Sequence, residues 1–214
     1  MRVVPLKKPE TTYSCNSYLI LGDWSRVGDL NTLIDPGTDG FVINEIERLS
    51  TGVGKIPVEQ IILTHGHFDH AGGVAALKRR YGAKVLAFSP AAGVDGLLRD
   101  GQILKAGDGF LRVFHIPCHS SDSVCLYAPS VRAMFSGDNR ILVARTGGVF
   151  IREYSGGPAG IGALNIETVY PGHDTPFNSR VQETARASGF KGRIAEGRRN
   201  DPVFVTTSEG GRLC

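Results

Sequence analysis

The stretch THGHFDHAGG, residues 64–73, constrains this chain more than any other. Ahead of it runs EQIILT, residues 59–64, an apolar segment of buried-strand composition, and behind it a helical pattern over 71–81 ends in RRYG. Basic residues in that last turn, with Gly82 beyond them, make a helix C-terminus. His65, His67 and His70, half of the six histidines, therefore stand with Asp69 in a turn between a strand and a helix. Alternate side chains of an emerging strand face one way, so His65 and His67 address one centre, and the start of the helix turns Asp69 and His70 to another. Imidazole nitrogens and carboxylate oxygens are ligands for Zn, Fe or Mn. The competing reading is a surface histidine cluster, against which the apolar strand and the helix both count. Gly66, Gly72 and Gly73 let the backbone turn sharply and pack closely around such ligands.

The rest of the chain alternates strand and helix signals. Strands are expected at 13–21, 31–35, 83–88, 110–116, 123–129, 132–137 and 167–170. Asp39 is set to cap a helix over 40–49, whose Val42, Ile43, Ile46 and Leu49 form an apolar stripe. Residues 141–163 read as a loop or a broken helix, with YSGGPAGIGA in the middle. A further helix over 178–188 and a terminal strand at VFVT complete an α/β layered sandwich, taken as one domain over 1–214. The chain holds 28 glycines in 214 residues, about twice the usual ~7%, which calls for many tight turns. Three ligand-capable residues each follow an apolar run: His119 after 110–116, Asp138 after 132–137 and His173 after 167–170. His115 lies inside a strand pattern and reads as core or surface rather than ligand.

Charge excludes other classes. The net charge is +3, and residues from Arg180 onward carry all of it. No basic stripe interleaved with aromatics is visible, so nucleic acid is not an expected partner. No apolar run approaches the ~20 residues of a membrane span, and no apolar segment of a secretory signal follows the start. The cysteines Cys15, Cys118, Cys125 and Cys214 lack CxxC spacing, which fits a reduced, cytoplasmic protein without a disulfide scaffold. The expected partner is a small-molecule substrate, with the basic tail favouring an anionic one, and a homodimer is compatible with the composition.

The motifs together resemble the metallo-β-lactamase superfamily. THGHFDHAGG resembles its THxHxDH signature, IPCHSSDSVCLY its TPGHTxGS segment, FSGDN its FSGD element and VYPGHD its YPGHG element. LIDPG, residues 33–37, resembles a further element before the first helix, so five motifs recur in order over about 13–177. The resemblance implies a four-layer αββα fold with two metals at one edge of the sheets. It implies that His65, His67 and His119 hold one ion, that Asp69, His70 and His173 hold the other, and that Asp138 bridges them. Asp35 then fixes the metal loops from behind. The implied cofactor is a pair of divalent ions, zinc first, with iron or manganese as alternatives. Such a pair supports attack of an activated water on a carbonyl, with Asp69 orienting the nucleophile and passing a proton on.

An Asp at position 138 is more similar to hydroxyacylglutathione hydrolases, lactonases and related thioester or ester hydrolases than to antibiotic-hydrolysing β-lactamases. The short region after Asp174 departs from the glutathione-dependent members. Tyr154 is the candidate for a lactonase-type tyrosine, with an ordinary structural role preferred. Cys118 stands where the family usually has Gly before the histidine, as a thiol beside the metal loop that fills space. Ser120, Ser121 and Ser123 read as turn or substrate-shaping residues, and Arg140, Arg145 and Arg152 as anion contacts or surface. Two alternatives remain: a mononuclear iron enzyme resembling persulfide dioxygenases, against which Phe68 counts, and a non-catalytic metal-binding relative.

Overall fold

The apolar runs assemble into two mixed β-sheets, in a computed structural model that describes residues 1–8, 11–140, 142–143, 149–150 and 164–178. The first sheet contains β1 (Arg2–Leu6), β2 (Ser17–Leu21), β3 (Thr32–Ile34), β4 (Gln60–Ile62), β5 (Lys84–Ala87) and β6 (Gly96–Leu97), in that order across the sheet. The second is built from β7 (Ile103–Ala106), β8 (Gly109–His115), β9 (Val124–Ala128) and β10 (Ala133–Gly137). A separate two-stranded ladder, β11 (Leu142–Val143) with β12 (Val149–Phe150), precedes β13 (Thr168–Pro171) and β14 (Phe177–Asn178). The second sheet runs β14-β13-β10-β9-β8-β7.

Strand alternation decides what packs where. Tyr18, Ile20, Ile34, Ile62 and Leu86 of the first sheet meet Leu111, Val113, Leu126 and Phe135 of the second in a core between the sheets. Leu19, Leu33, Ile61 and Val85 point the other way, onto α1 (Phe41–Glu47) and α3 (Val74–Tyr81) through Val42, Ile46, Val74 and Leu77. Phe114, Cys125, Tyr127, Met134 and Val169 form a third apolar layer on the outer face of the second sheet. Two mixed sheets flanked by helices make the αββα sandwich that the motifs imply. Among the described residues no helix is long and apolar enough to cross a membrane.

Several elements differ from the sequence expectation. The strand expected from residue 13 starts at Ser17, because the Cys15 N–H donates to Asp69 O and the Asn16 N–H to Gly172 O instead of to a strand partner. The helix expected over 71–81 is two pieces, α2 (Phe68–Ala71) and α3, separated at Gly72–Gly73. A Cβ on Gly72 would lie 2.1 Å from Thr38 O, so the backbone there is pressed against the preceding loop. Gly82 does end α3 in the left-handed conformation, φ 67°. The Asp39 carboxylate accepts the Phe41 N–H at 2.8 Å, although Gly40 is the capping position of α1. β1, β6 and β7 have no counterpart in the expected pattern. Where a loop or broken helix was expected, β11 pairs with β12. The helix over 178–188 has its first residue at the end of β14; the rest of it, the VFVT strand, Arg145, Arg152, Tyr154 and the Gly-rich 155–163 stretch lie outside the described residues.

Parallel pairing sets the location of the site. β3, β4 and β5 run parallel, as do β10 and β13, so their C-terminal ends share an edge, where ligands gather in open α/β sheets. Asp35 follows β3, His65 follows β4, Asp138 follows β10 and His173 follows β13. The β10–β13 register shifts between Phe135 and Gly137, and Gly137 has φ 51°. Such a bulge re-aims the next side chain, here Asp138.

Candidate metal centre

Seven side chains from four segments of the chain converge at this edge. His65 Nε2 lies 3.1 Å from His67 Nδ1, which lies 3.0 Å from His119 Nε2. Beside this triad, Asp69 Oδ2 is 3.1 Å from His173 Nε2 and 3.9 Å from His70 Nε2. Asp138 stands between the two groups: its Oδ2 is 3.5 Å from His119 Nε2 and 3.4 Å from His173 Nε2, and its Oδ1 is 3.2 Å from His70 Nε2. Donors around a tetrahedral ion with bonds of about 2.0–2.1 Å sit about 3.3 Å apart, which these spacings match. His65–His67–His119, His65–His70–Asp138 and Asp69–His70–His173 each have the geometry to hold an ion.

Two buried atoms test that fit. His70 Nε2 and Asp138 Oδ1 have no hydrogen-bond partner. The other ring nitrogen of His70 is engaged by Asp35, with Nδ1 to Oδ2 at 2.8 Å. A carboxylate accepting from Nδ1–H leaves the Nε2 lone pair aimed at Asp138 and Asp69, an arrangement that a cation satisfies. Asp35 also accepts the Thr64 N–H at 2.8 Å and the Thr64 hydroxyl at 2.7 Å, at φ 51° and almost fully buried. A Cβ on Gly172 would lie 2.2 Å from Asp138 Oδ1 and 2.8 Å from His70 Cε1, so only glycine lets these two groups meet.

The electrostatics follow from burial among like and unlike charges. Burial, then the neighbouring His70 charge, pushes His65 down to about 4. Burial would raise Asp138, but its close contact with His70 and the charges of His70 and His173 hold it down at about 2. Burial also opposes protonation of His70, yet the Asp35 charge and its contacts with Asp138 and Asp35 outweigh it and raise the pKa far above the usual range, so the site favours a positive charge at Nε2, which either a proton or a cation in its place supplies.

Several neighbours carry no signal in the sequence. Cys15 is buried, and with Asp35 and His70 it makes a further cluster of ligand atoms; burial pushes its thiol up. Asp122 ties two loops, accepting the Gly66 N–H at 2.8 Å and the Ser120 hydroxyl at 2.6 Å. Ser120 also meets Ser123, Oγ to Oγ at 2.7 Å, so these hydroxyls shape the turn that carries His119. Cys118 packs against the apolar layer on the outer face of the second sheet and does not take a positive φ. His115 stacks on Phe88 at 3.8 Å and bonds Ser121 O, away from the donors. Arg140 is exposed. Asp122→Ala is expected to weaken metal binding about 10–100-fold, measured by competition with a chelator, because Gly66 and Ser120 lose their common anchor. Asp122→Asn, which keeps an acceptor for Gly66, should recover most of that loss.

A model of the metallo-beta-lactamase superfamily matches residues 11–93. The chain is 31% identical over 192 residues to the probable hydroxyacylglutathione hydrolase glo2 of Schizosaccharomyces pombe, covering 85% of this chain and 73% of that protein. The chain belongs to the metallo-beta-lactamase superfamily. It is also similar to an atrochrysone carboxyl ACP thioesterase of Claviceps purpurea, 31% identical over 144 residues, 65% of this chain and 44% of that protein. Among solved structures of the superfamily fold, TTHA1623 in a di-iron-bound form is 26% identical with a TM-score of 0.57, covering 84% of this chain and 96% of that chain. Fold and clustered donors are those of a superfamily enzyme of the metallo-hydrolase type, with clusters suited to divalent ions.

Proposed function

We propose that this chain is a dinuclear metallo-hydrolase acting on a small-molecule thioester, ester or lactone. The observation that carries this is one carboxylate, Asp138, shared between His119 at 3.5 Å and His173 at 3.4 Å, at the junction of two donor triads. His65, His67 and His119 would hold one divalent ion and Asp69, His70 and His173 the other, with Asp138 available to both. Zinc suits these imidazole and carboxylate donors, with iron and manganese as the alternatives. An acylglutathione and an acyl carrier protein thioester, the compounds in the relatives' names, share an acyl–sulfur bond, which makes thioesters the first class to assay.

When bound, two such ions supply an acidified water and an electrophile for the carbonyl oxygen. The chain's own residues do the rest. Asp35 fixes the tautomer of His70 through Nδ1, so that Nε2 keeps its lone pair. Asp69, with Oδ2 3.1 Å from His173, orients the nucleophilic water and passes its proton towards the leaving group. With water as the nucleophile no serine need attack, and the Ser120 and Ser123 hydroxyls are engaged with each other and with Asp122 in the turn that carries His119.

Protein purified without added metal is expected to carry about two Zn, Fe or Mn ions per chain. His67→Ala should lose metal and thioester hydrolysis together. Unchanged metal content and rate in that variant would refute the ligand assignment. A single iron per chain with oxygen consumption in place of hydrolysis would overturn the hydrolase reading.

A further inference from the structure

Two aromatic rings stand in solvent beside the donors. Tyr13 is 70% exposed and Phe68 63% exposed, although both are large apolar groups of the kind usually buried. Their ring centroids are 6.1 Å apart at an interplanar angle of 30°. Tyr13 also stacks on His173, at 5.9 Å and 24°. Phe68 lies between His67 and Asp69 in the chain, as the first residue of α2. The shelf is thus continuous with the donor cluster.

The backbone holds these rings in place. Tyr13 O accepts the Thr38 hydroxyl at 2.5 Å, and Ser14 Oγ accepts the Thr38 N–H at 3.0 Å. The Cys15 N–H bonds Asp69 O at 3.1 Å, which links the segment carrying Tyr13 to the helix carrying Phe68. Folding anchors the main chain at and after Tyr13 while its ring stays in water. An apolar surface held open at the mouth of a polar site fits a substrate group that covers it.

We propose that Tyr13 and Phe68 form a stacking shelf for a flat aromatic group adjoining the scissile carbonyl, so that the preferred substrates are aromatic thioesters. This rests on the hydrolase reading above. An aromatic ring gains offset stacking on the shelf beyond its buried area, whereas an acetyl group reaches the donors and leaves the shelf wet. Discrimination therefore appears in KM, because the shelf touches the substrate away from the reacting bond.

The test compares three thioesters on metal-loaded protein: S-benzoyl-N-acetylcysteamine, S-acetyl benzyl mercaptan and S-acetyl-N-acetylcysteamine. Wild type should favour at least one aromatic compound over the last by about tenfold in kcat/KM, carried by KM. Whether the ring sits on the acyl or the thiol side tells which half of the substrate lies on the shelf. Tyr13→Ala and Phe68→Ala should bring the ratio towards one at unchanged metal content, and Tyr13→Phe should keep it. A ratio the same in the alanine variants as in wild type overturns the shelf. Calorimetric binding of a non-hydrolysable benzyl thioether separates the two levels. If no thioester is hydrolysed but both alanine substitutions weaken that binding about tenfold, the hydrolase reading falls and the shelf stands. Binding indifferent to both substitutions removes the shelf whatever the turnover.

Discussion

Asp138→Ala is expected to abolish thioester hydrolysis and to lower bound metal by at least one ion per chain, as read by elemental analysis of the folded variant. The Asp138 carboxylate lies within 3.5 Å of Nε2 atoms from both triads, facing His119, His173 and His70. Its carboxyl is held at about 2, against the effect of burial, by the contact with His70 and the charges around it, so it offers two anionic oxygens at any neutral pH. Removing it leaves Asp69 as the carboxylate still facing these imidazoles and takes the 3.2 Å anionic neighbour from His70 Nε2, which has no hydrogen-bond partner. Losses of about 10–100-fold in affinity follow when a supporting group behind a ligand is removed, and under the proposed scheme, in which Asp138 is a ligand to both ions, its removal should cost more than that. Asp138→Asn separates charge from shape: it keeps the volume beside Gly172 and supplies one neutral oxygen, so its metal affinity should fall between wild type and alanine. Retention of two ions and full rate in Asp138→Ala would show that the carboxylate does not join the triads.

The difference between what could and could not be anticipated from the sequence is largely one of range. His65, His67, Asp69 and His70 are legible because strand and helix periodicity act over a few residues, and the apolar run before them fixes which way they emerge. His119, Asp138 and His173 are legible more weakly, as polar residues just past strand ends; parallel pairing of β3 with β4 and of β10 with β13 is what brings those ends to one edge. β1 is hidden because RVVPL contains a proline, and an edge strand tolerates it while a central strand would not. β7 is hidden because its outer position leaves Ile103 68% exposed and blurs the alternation. Asp122 and Cys15 act through partners far away in the chain, Gly66 and His70, so nothing in their neighbours marks them. Gly72 and Gly73 are visible as glycines, but the break they make between α2 and α3 depends on the carbonyls of Thr38 and Asp39 pressing against them.

Asp35 joins fold and site most tightly, and two substitutions there are expected to separate its structural role from its role at the metal. The carboxylate is almost fully buried and accepts from Thr64 N, Thr64 Oγ1 and His70 Nδ1, at 2.8, 2.7 and 2.8 Å. It does so from a left-handed backbone, φ 51°, which Asp and Asn tolerate better than other residues with a Cβ. Asp35→Ala leaves a buried backbone donor, a hydroxyl and an imidazole unpaired and adds backbone strain, so unfolding in urea should register a loss of roughly 3–5 kcal/mol. Asp35→Asn keeps the left-handed preference and one oxygen for Thr64, but turns either an amide NH2 or a single neutral oxygen towards His70. Facing NH2, His70 must accept at Nδ1 and carry its proton on Nε2, where the metal lone pair is needed. The asparagine variant should therefore stay folded and lose about 10–100-fold in metal affinity, with the loss confined to the ion proposed for Asp69, His70 and His173. Chelator competition on the two ions separately checks this, since equal weakening of both would place the role of Asp35 in general stability and not in the orientation of His70.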